Sequence, residues 1–486
     1  MFYVSEKQMR DIEEAAINDL QIPSLILMEN AACATFSEVE KFNPDKIAVV
    51  CGCGNNGGDG FAAARLLYVK GMQVSVSVIG DSSRIKGDAL TNFNIIKNLG
   101  LLSDSPLETL LDEADIIVDA LIGIGLHGEL QKEASQAIDA INRAAKKVLS
   151  VDIPSGVEAD TGKVSGAAVK ADITVTFGCA KIGHVLYPGT EYCGKVRVKD
   201  ISVPGNYLSN RTFLESLDKA VLPPRPLRSN KGTYGRVCVL AGSKDMPGAA
   251  VLCCKAAYKS GAGLVHACVV EEVAAAIKQS AHEVITTTIK GKNGAYSNFS
   301  EVIKEAVLKA DVIVIGPGIG QGSKKFVNTV LQEVKKPLVI DADALTLLDK
   351  SLLNKFCVIT PHPGEMAKLT GFSVKEVLED IIKCARDFAG EYGAVTLLKD
   401  ARTIIASPCG KTYINTSGSP ALAKAGSGDV LAGVLAAFLA QGMNTLDAAV
   451  LAANIHGKAG QAAARDLSVY GVRATDVIEY ISKVMK

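Results

Sequence analysis

Short runs of consecutive apolar residues alternate along this chain with longer stretches whose apolar positions recur every three or four residues. Residues 47–51 are apolar without a break, as expected of a strand buried on both faces of a parallel sheet. Val74, Val76 and Val78 alternate with polar residues and predict a second strand, and 116–120, 148–153 and 173–177 predict three more. Helices are expected between them over 61–70, 87–99 and 131–147, while Ser5 and Gln8 have the capping-box spacing that opens an earlier one. The regular order stops near 210–218. A proline-rich stretch follows, Leu222-Pro223-Pro224-Arg225-Pro226, with the composition of a linker or strap. The alternation then restarts, with strands expected at 237–241, 264–269, 312–315, 338–340, 357–360 and 395–398. Near the end Leu431, Val434, Leu435, Phe438 and Leu439 recur at i, i+3, i+4, i+7 and i+8, predicting an amphipathic helix that buries one stripe. Short apolar strands separated by helices pack as a parallel sheet covered on both faces. The expected fold class is therefore α/β, as two three-layer αβα domains over 1–215 and 222–486.

Length agrees, since 486 residues exceed what one hydrophobic core usually organises. Lys plus Arg and Asp plus Glu cancel at 52 each, removing the basic excess typical of a nucleic-acid binder. No apolar run reaches the roughly 18–20 residues of a membrane helix; the stretch 430–440 is short and holds Gly433. The first residues are polar and acidic, unlike an export signal. Neither a membrane nor a nucleic acid is expected as partner. The 12 cysteines are scattered, several of them in apolar strands (Cys51, Cys238, Cys268, Cys357), and lack paired zinc-site spacing. They read as reduced core thiols of a cytoplasmic protein.

Chemistry is expected where strands end, because ligands of open α/β sheets bind beyond the carboxyl ends of the strands. Residues 51–60 hold five glycines between a strand and a helix. Such a turn lets backbone approach a ligand, and the helix start offers free N–H groups to a phosphate. Asn55, Asn56 and Asp59 add polar side chains that a bare turn does not need. Two later strand ends carry Asp119 and Asp152. Each can simply cap its own turn; with Asn56 they can instead converge on a cation through hard oxygens. In the second half, Gly426-Ser427-Gly428-Asp429 opens the predicted helix. Small residues there make an anion hole for a transferring phosphoryl group. An Asp beside a phosphate is unfavourable unless it accepts the proton of an attacking hydroxyl. A role as N-cap would explain the Asp but not the glycines before it.

Leu27-Met28-Glu29-Asn30-Ala31, the glycine run, Asp119 with the glycines after it, and Val151-Asp152-Ile153-Pro154-Ser155-Gly156 occur in an order that resembles the NAD(P)HX epimerase domain, or YjeF N-terminal domain. The resemblance covers most of 1–215, with Ala32 standing where that family usually has Gly. It implies a Rossmann-like fold that binds the hydrated dinucleotide through Asn55, Asn56, Gly57, Gly58, Asp59, Gly123, Ile124, Gly125, Leu126, His127, Gly128, Glu129 and Asp152. Asn56, Asp119 and Ser155 would hold a potassium ion. Epimerising a carbon that bears a hydroxyl beside a ring nitrogen requires the hydroxyl to leave and return on the other face. Asp152 is expected to protonate that oxygen as the catalytic acid.

The Gly426–Asp429 element resembles the signature of the ribokinase-like family. With Leu240-Ala241-Gly242-Ser243, Gly316-Pro317-Gly318, Asp341-Ala342-Asp343-Ala344 and Thr360-Pro361-His362-Pro363-Gly364-Glu365, it resembles more closely the ADP-dependent NAD(P)HX dehydratases across 235–460. The resemblance implies that Ala249, Gly318, His362 and Asp429 touch the hydrate. Lys399, Asp400, Ala401, Arg402, Thr403, Gly426, Ser427 and Gly428 would touch the adenine nucleotide, with Asp429 catalytic. Asp400 follows Lys399 where that family usually has Gly. ADP (or ATP) with Mg²⁺ would phosphorylate the hydrate hydroxyl, so that phosphate leaves in place of hydroxide. The expected protein is thus a bifunctional enzyme and a homo-oligomer: an isomerase for the R and S hydrates and a lyase for the S form. Two alternatives stand beside it, a vitamin-precursor or sugar kinase with an accessory N-terminal domain and a non-catalytic scaffold.

Overall fold

The computed structural model describes residues 1–210, 212–217 and 221–485. Asp218, where the expected break ends, and Lys486, where the second expected domain ends, lie outside the described residues. The chain forms two compact units, Phe2–Phe213 and Leu214–Lys486, the latter with Met1.

The first unit is built on six parallel strands: Lys46–Cys51, Gln73–Val78, Ile116–Ala120, Lys147–Val151, Ile173–Phe177 and Lys195–Lys199. Numbered along the chain, they lie in the order 2-1-3-4-5-6. The strands alternate faces, so each feeds two cores. Ile47, Val49 and Cys51 join Phe61, Leu67 and Ile96 on one side; Ala48 and Val50 join Leu111, Ile138 and Ile141 on the other. The order reverses between Lys46–Cys51 and Ile116–Ala120, and that switch point is where a doubly wound sheet opens a crevice. The helix Glu6–Asn18 starts at Ser5 with the expected capping box. A short parallel pair, Phe2–Val4 with Ala180–Lys181, sets Val4 opposite Lys181. The helix expected over 61–70 begins earlier, at Asn55, so Asn55, Asn56, Gly57, Gly58 and Asp59 form its first turn and not a preceding loop.

The second unit has seven parallel strands: Arg236–Leu240, Leu264–Val270, Ile285–Ile289, Val312–Ile315, Leu338–Ile340, Cys357–Ile359 and Val395–Leu398, in the order 3-2-1-4-5-6-7. The sheet continues through antiparallel Thr403–Ala406 and Thr412–Asn415. Its switch point therefore falls between Arg236–Leu240 and Val312–Ile315. The helix Ser427–Ala440 differs from expectation: every residue of 430–440 is buried, not one stripe. It is wedged between Pro247–Lys259, Thr445–Gly471 and the sheet, and a helix covered all round has no polar face. Gly433 permits the closest crossing, since a Cβ there would stand 2.3 Å from the Cys253 carbonyl oxygen. The proline-rich stretch belongs to this unit, where Arg225 lies 4.0 Å over the Tyr234 ring and donates to the Gly261 carbonyl. Among the described residues no helix is long and apolar enough to cross a membrane. All 12 cysteines are free.

Candidate active sites

At the first switch point Gly54 caps the helix Asn55–Val69 without a side-chain hydrogen bond, leaving the first amides open. The glycines of this run divide by role. A Cβ on Gly57 would stand 2.0 Å from the Gly52 carbonyl oxygen, and one on Gly60 2.5 Å from the Ala120 side chain, whereas one on Gly54 would meet nothing within 4 Å. Gly57 and Gly60 thus serve helix–strand packing, and Gly54 faces open space. Gly52, Cys53 and Gly54 line a cleft of about 420 Å³ together with Gly125, Leu126, His127 and Glu129 from the loop after Ile116–Ala120. Asp81 and Arg84, from the turn after Gln73–Val78, line it too. Asn55–Asp59 and Asp152 do not. Gly123 instead backs onto Asn56, whose Oδ1 would lie 3.2 Å from a Cβ there, and Ile124 packs into the core. Gly128 turns the loop with φ +73°. The loop is tied to the first helix: Glu6 bonds His127 Nε2 at 3.0 Å and Arg10 at 2.8 Å, and Arg10 lies against Gly125.

The structure brings Asp119 and Ser155 together. Asp119, fully buried, accepts from Ser150 Oγ at 2.7 Å, from the Ser155 amide at 3.0 Å and from Ser155 Oγ at 2.6 Å. Burial raises its carboxyl above the ordinary range, and these hydrogen bonds oppose the shift. Both polar atoms of the Asn56 side chain are buried with no hydrogen-bond partner. Orphaned groups of this kind are costly unless a ligand or ion completes them.

Asp152 sits just past Lys147–Val151 with φ +64°, a strained conformation for a residue with a Cβ. Its surroundings hold it there. Its amide donates to the Val175 carbonyl at 2.7 Å, and its own carbonyl accepts from His184 Nε2 at 2.9 Å. Asp152 Oδ1 accepts from Thr176 Oγ1 at 2.9 Å and from the Lys181 ammonium. The Lys181 side chain is 1% exposed and also donates to Thr176 Oγ1 and the Phe177 carbonyl. His184 accepts from the Lys181 amide through Nδ1 at 3.0 Å; burial, then the Lys181 charge, push it down to about 4, so it stays neutral. Glu13, half-buried on the first helix, is pushed up to about 7 by burial and by Asp152, against the pull of Lys181. Asp59 is raised well above the ordinary range by burial, Asp152 and Glu13.

In the second unit Gly426 caps the helix Ser427–Ala440 with φ +90° and no side-chain hydrogen bond, so the N-cap is Gly426 and not Asp429. A side chain at Gly426 would be strained and would meet Leu252 at 2.6 Å. The Asp429 carboxylate has no hydrogen-bond partner among the described residues. Burial and the Asp341 carboxylate push it up to about 6, with Lys399 pulling the other way. Lys399 Nζ lies 2.9 Å from Asp341 Oδ1 and 3.9 Å from Glu365. Burial disfavours its charge, but Asp341 and Glu365 outweigh burial and hold the ammonium above its ordinary value. A Cβ on Gly428 would be 3.3 Å from that Nζ and 3.6 Å from Asp341 Oδ2, so Gly428, Lys399, Asp341 and Asp429 share one corner. Lys399 thus points to a carboxylate, while Asp400 and Ala401 are exposed and Arg402 donates to the Thr416 carbonyl at 3.0 Å.

Gly318 has φ +58° and approaches Ala249, so the two residues expected at the hydrate meet across the second switch point. His362 caps the helix Pro363–Thr370: its Nδ1 accepts from the Gly364 amide at 3.0 Å, and Glu365 accepts from the His362 amide at 2.8 Å. That box holds Glu365 near Lys399. Ser427 Oγ lies 3.3 Å from Nε2 of buried His456 on Thr445–Gly471, and burial, then Lys399, push His456 down to about 4. Glu13, Lys181, His184, Asp341, Glu365 and His456 entered no expected role. The legible signal was a lone Lys or His inside an otherwise apolar run, as at Lys181 and His456.

Residues 24–183 match the family model described as YjeF-related protein N-terminus, and 237–483 match that described as NAD(P)H-hydrate dehydratase. The bifunctional NAD(P)H-hydrate repair enzyme of Moorella thermoacetica is 37% identical over 100% of this chain and 97% of its own. Those of Thermofilum pendens and Escherichia coli are 36% and 32% identical, over 99% and 100% of this chain and 95% and 94% of theirs. Among solved structures, a ribokinase-like superfamily protein of Enterococcus faecalis matches with TM-score 0.49 and 27% identity, over 56% of this chain and 96% of that one. An ADP/ATP-dependent NAD(P)H-hydrate dehydratase of Bacillus subtilis matches with TM-score 0.47 and 29% identity, over 54% and 93%. With both halves matched and relatives aligned end to end, this chain belongs to the bifunctional NAD(P)H-hydrate repair enzyme family.

Proposed function

We propose that this chain repairs hydrated nicotinamide cofactors: the expected domain 1–215 interconverts the R and S forms of NAD(P)HX, and 222–486 dehydrates the S form using the terminal phosphoryl group of ADP. The observation that carries the reading is Asp429, an unpartnered carboxylate at the open start of a buried helix, beside a lysine committed to another acid. A carboxylate so placed takes the proton of the hydrate hydroxyl as the phosphoryl group reaches that oxygen. The Gly428 and Asp429 amides at the helix start would stabilise the transferring group, the Ser427 amide being taken by the Lys424 carbonyl. Phosphate then departs with the C–O electrons, the ring nitrogen supplies its lone pair, and loss of the neighbouring C–H proton restores the dihydropyridine.

Ala249 and Gly318 fit contact with the hydrate, because their close approach leaves the crevice floor without side chains. Mg²⁺ would neutralise phosphate charge; among the described residues no three His, Cys, Asp or Glu gather as ligands, so it would ride on the nucleotide. In the first domain the dinucleotide would occupy the cleft at Gly52–Gly54 and Gly125–Glu129, its nicotinamide end reaching Asp152. Because Asp152 Oδ1 already accepts from Thr176 and Lys181, Asp152 would serve here as a charge that stabilises the ring cation formed when the hydroxyl leaves, in place of the proton donor expected from the sequence. The orphaned Asn56 oxygen and the buried Asp119 charge suit a potassium ion, with Ser155 as third partner.

The test is to incubate the protein with a mixture of both hydrate epimers and ADP, then ATP, while following recovery of reduced-cofactor absorbance. Complete recovery in two phases, the slower one set by epimerisation, is expected. A stable phosphorylated product would favour the kinase alternative, and no consumption of either epimer the scaffold.

A further inference from the structure

We infer that the turn Gly80–Arg84, after the strand Gln73–Val78, seats the adenosine ribose of the hydrated dinucleotide, and that Arg84 recognises the 2′-phosphate that distinguishes NADPHX from NADHX. The inference rests on the epimerase reading and deepens it by naming what sets the preference between the two hydrates.

Cys53 and Ile85 fix this turn at its two ends. Cys53 Sγ lies 3.3 Å from the Asp81 carbonyl oxygen and 3.6 Å from that of Ile79. Gly80 has φ +99°, and a Cβ there would stand 3.4 Å from the same sulfur. Ile85 is buried in the core that holds Phe61 and Ile96. Between them the Arg84 amide donates to the Asp81 carbonyl at 3.0 Å, and the Ser83 amide to Asp81 Oδ1 at 2.9 Å. The glycine run and the turn are thus one pinned unit.

Asp81 and Arg84 line the cleft of about 420 Å³ at Gly52–Gly54. A second cleft, of about 590 Å³, adjoins it, sharing Gly80, Asp81, Arg84, Gln131 and Glu133 and adding Lys132. Of the basic residues lining the first, His127 is engaged by Glu6, whereas the Arg84 side chain makes no hydrogen bond and no ion pair among the described residues. Lys132 lines only the second, so Arg84 is the cation the two clefts have in common.

In a doubly wound sheet the pyrophosphate sits at the helix start after the first strand, and the ribose beside the end of the next. Here those places are Gly54, which faces open space, and Asp81. The strands Gln73–Val78 and Lys147–Val151 lie on opposite sides of Lys46–Cys51, so a ribose at Asp81 leaves the nicotinamide directed toward Asp152. Chemistry then divides the two hydrates. Hydrogen bonding to Ser83 holds the Asp81 carboxyl below its ordinary range, so at neutral pH it is an acceptor suited to a ribose 2′-hydroxyl. A 2′-phosphate is repelled by that carboxylate unless a cation stands beside it, and a guanidinium offers donors that match phosphate oxygens in pairs. The charges of Arg84 and Lys132 are balanced by Asp81 and Glu133, which suits a cleft that takes either hydrate.

The experiment measures epimerisation of purified R-NADHX and R-NADPHX by the full chain without adenine nucleotide, in the wild type, Arg84→Gln, Arg84→Lys and Asp81→Asn. Arg84→Gln is expected to raise KM for NADPHX on the order of tenfold more than KM for NADHX. Arg84→Lys keeps the charge without the paired donors and should fall between; it carries the test if the glutamine variant does not fold. Asp81→Asn should move the ratio of the two KM values the other way, by about threefold. Added salt should weaken NADPHX more than NADHX in the wild type, and this difference should shrink in Arg84→Gln. An unchanged ratio in the Arg84 variants, or KM values that rise equally for both hydrates, would overturn the assignment. If the wild type epimerises neither hydrate, the domain reading fails; if it epimerises both and the Arg84 variants keep its ratio, only the role of Arg84 does.

Discussion

Both units place a carboxylate beyond the strand ends of a doubly wound sheet, next to a lysine that is buried in the first and half-buried in the second, and they use that lysine in opposite ways. In the first unit Lys181 bonds the site carboxylate itself, Asp152, and every one of its protons has a partner. In the second, Lys399 bonds a neighbour, Asp341, and Asp429 is left alone with a raised proton affinity. A paired carboxylate is a fixed charge, suited to stabilising a cation; an unpaired, desolvated one is a base waiting for a proton. The two half-reactions differ in the same way, since one passes through a ring cation and the other deprotonates an alcohol.

Removing the unpaired acid should have the largest effect. Asp429→Asn is expected to lower dehydration by on the order of 10³-fold or more while epimerisation continues; loss of both activities would argue for one shared site. The same variant should be more heat-stable than the wild type at neutral pH. A carboxyl whose folded-state pKa is raised opposes folding once it ionises, so the penalty is absent below 3.8, grows toward about 6 and persists above it. Melting curves of the two proteins should converge at low pH and separate as pH rises through that window. A constant difference at all pH values would show that Asp429 is not desolvated.

Breaking the paired lysine comes next. Lys181→Met leaves the Asp152 charge uncompensated in a buried setting and should destabilise the first unit by about 3–5 kcal/mol. Epimerisation should fall with it and dehydration should not, as measured by denaturant unfolding and the two separate assays. Equal loss at both sites would contradict the independence of the two lysines.

Glycines sharpen the contrast at smaller magnitude. Gly57→Ala drives a methyl group to 2.0 Å from a backbone oxygen and should lose about 1–3 kcal/mol of stability. Gly428→Ala meets only side-chain atoms, at 3.3 and 3.6 Å. It should leave melting nearly unchanged and raise the KM for nucleotide by about tenfold, if that hollow holds the phosphoryl group.

What the sequence disclosed follows from where each residue lies. The strands Ile173–Phe177, Val312–Ile315, Leu338–Ile340 and Val395–Leu398 have the expected bounds because interior strands are apolar on both faces. Ile285–Ile289 and Lys195–Lys199 escaped because edge strands carry threonines and lysines on their open sides. Asp152 and Asp429 could be singled out as candidates because a Pro-Ser-Gly turn follows the one and Gly426 and Gly428 precede the other. Lys181 could not be, since its meaning comes from its hydrogen bonds to Asp152, Thr176 and Phe177 at the neighbouring strand ends, which no local pattern encodes.

Asn56 tests whether an orphaned group records a missing ligand. Its amide is buried with neither polar atom bonded, so in the absence of an ion the side chain lowers stability. Truncation to Ala removes two unsatisfied atoms worth roughly 1 kcal/mol each, offset by the small void it leaves. In sodium buffer, Asn56→Ala should therefore melt within about 1 kcal/mol of the wild type. In potassium the wild type alone should gain stability, because an ion that binds only the folded state adds to it. If potassium stabilises both proteins equally, Asn56 does not hold the ion, and its two empty hydrogen-bond positions belong to the dinucleotide.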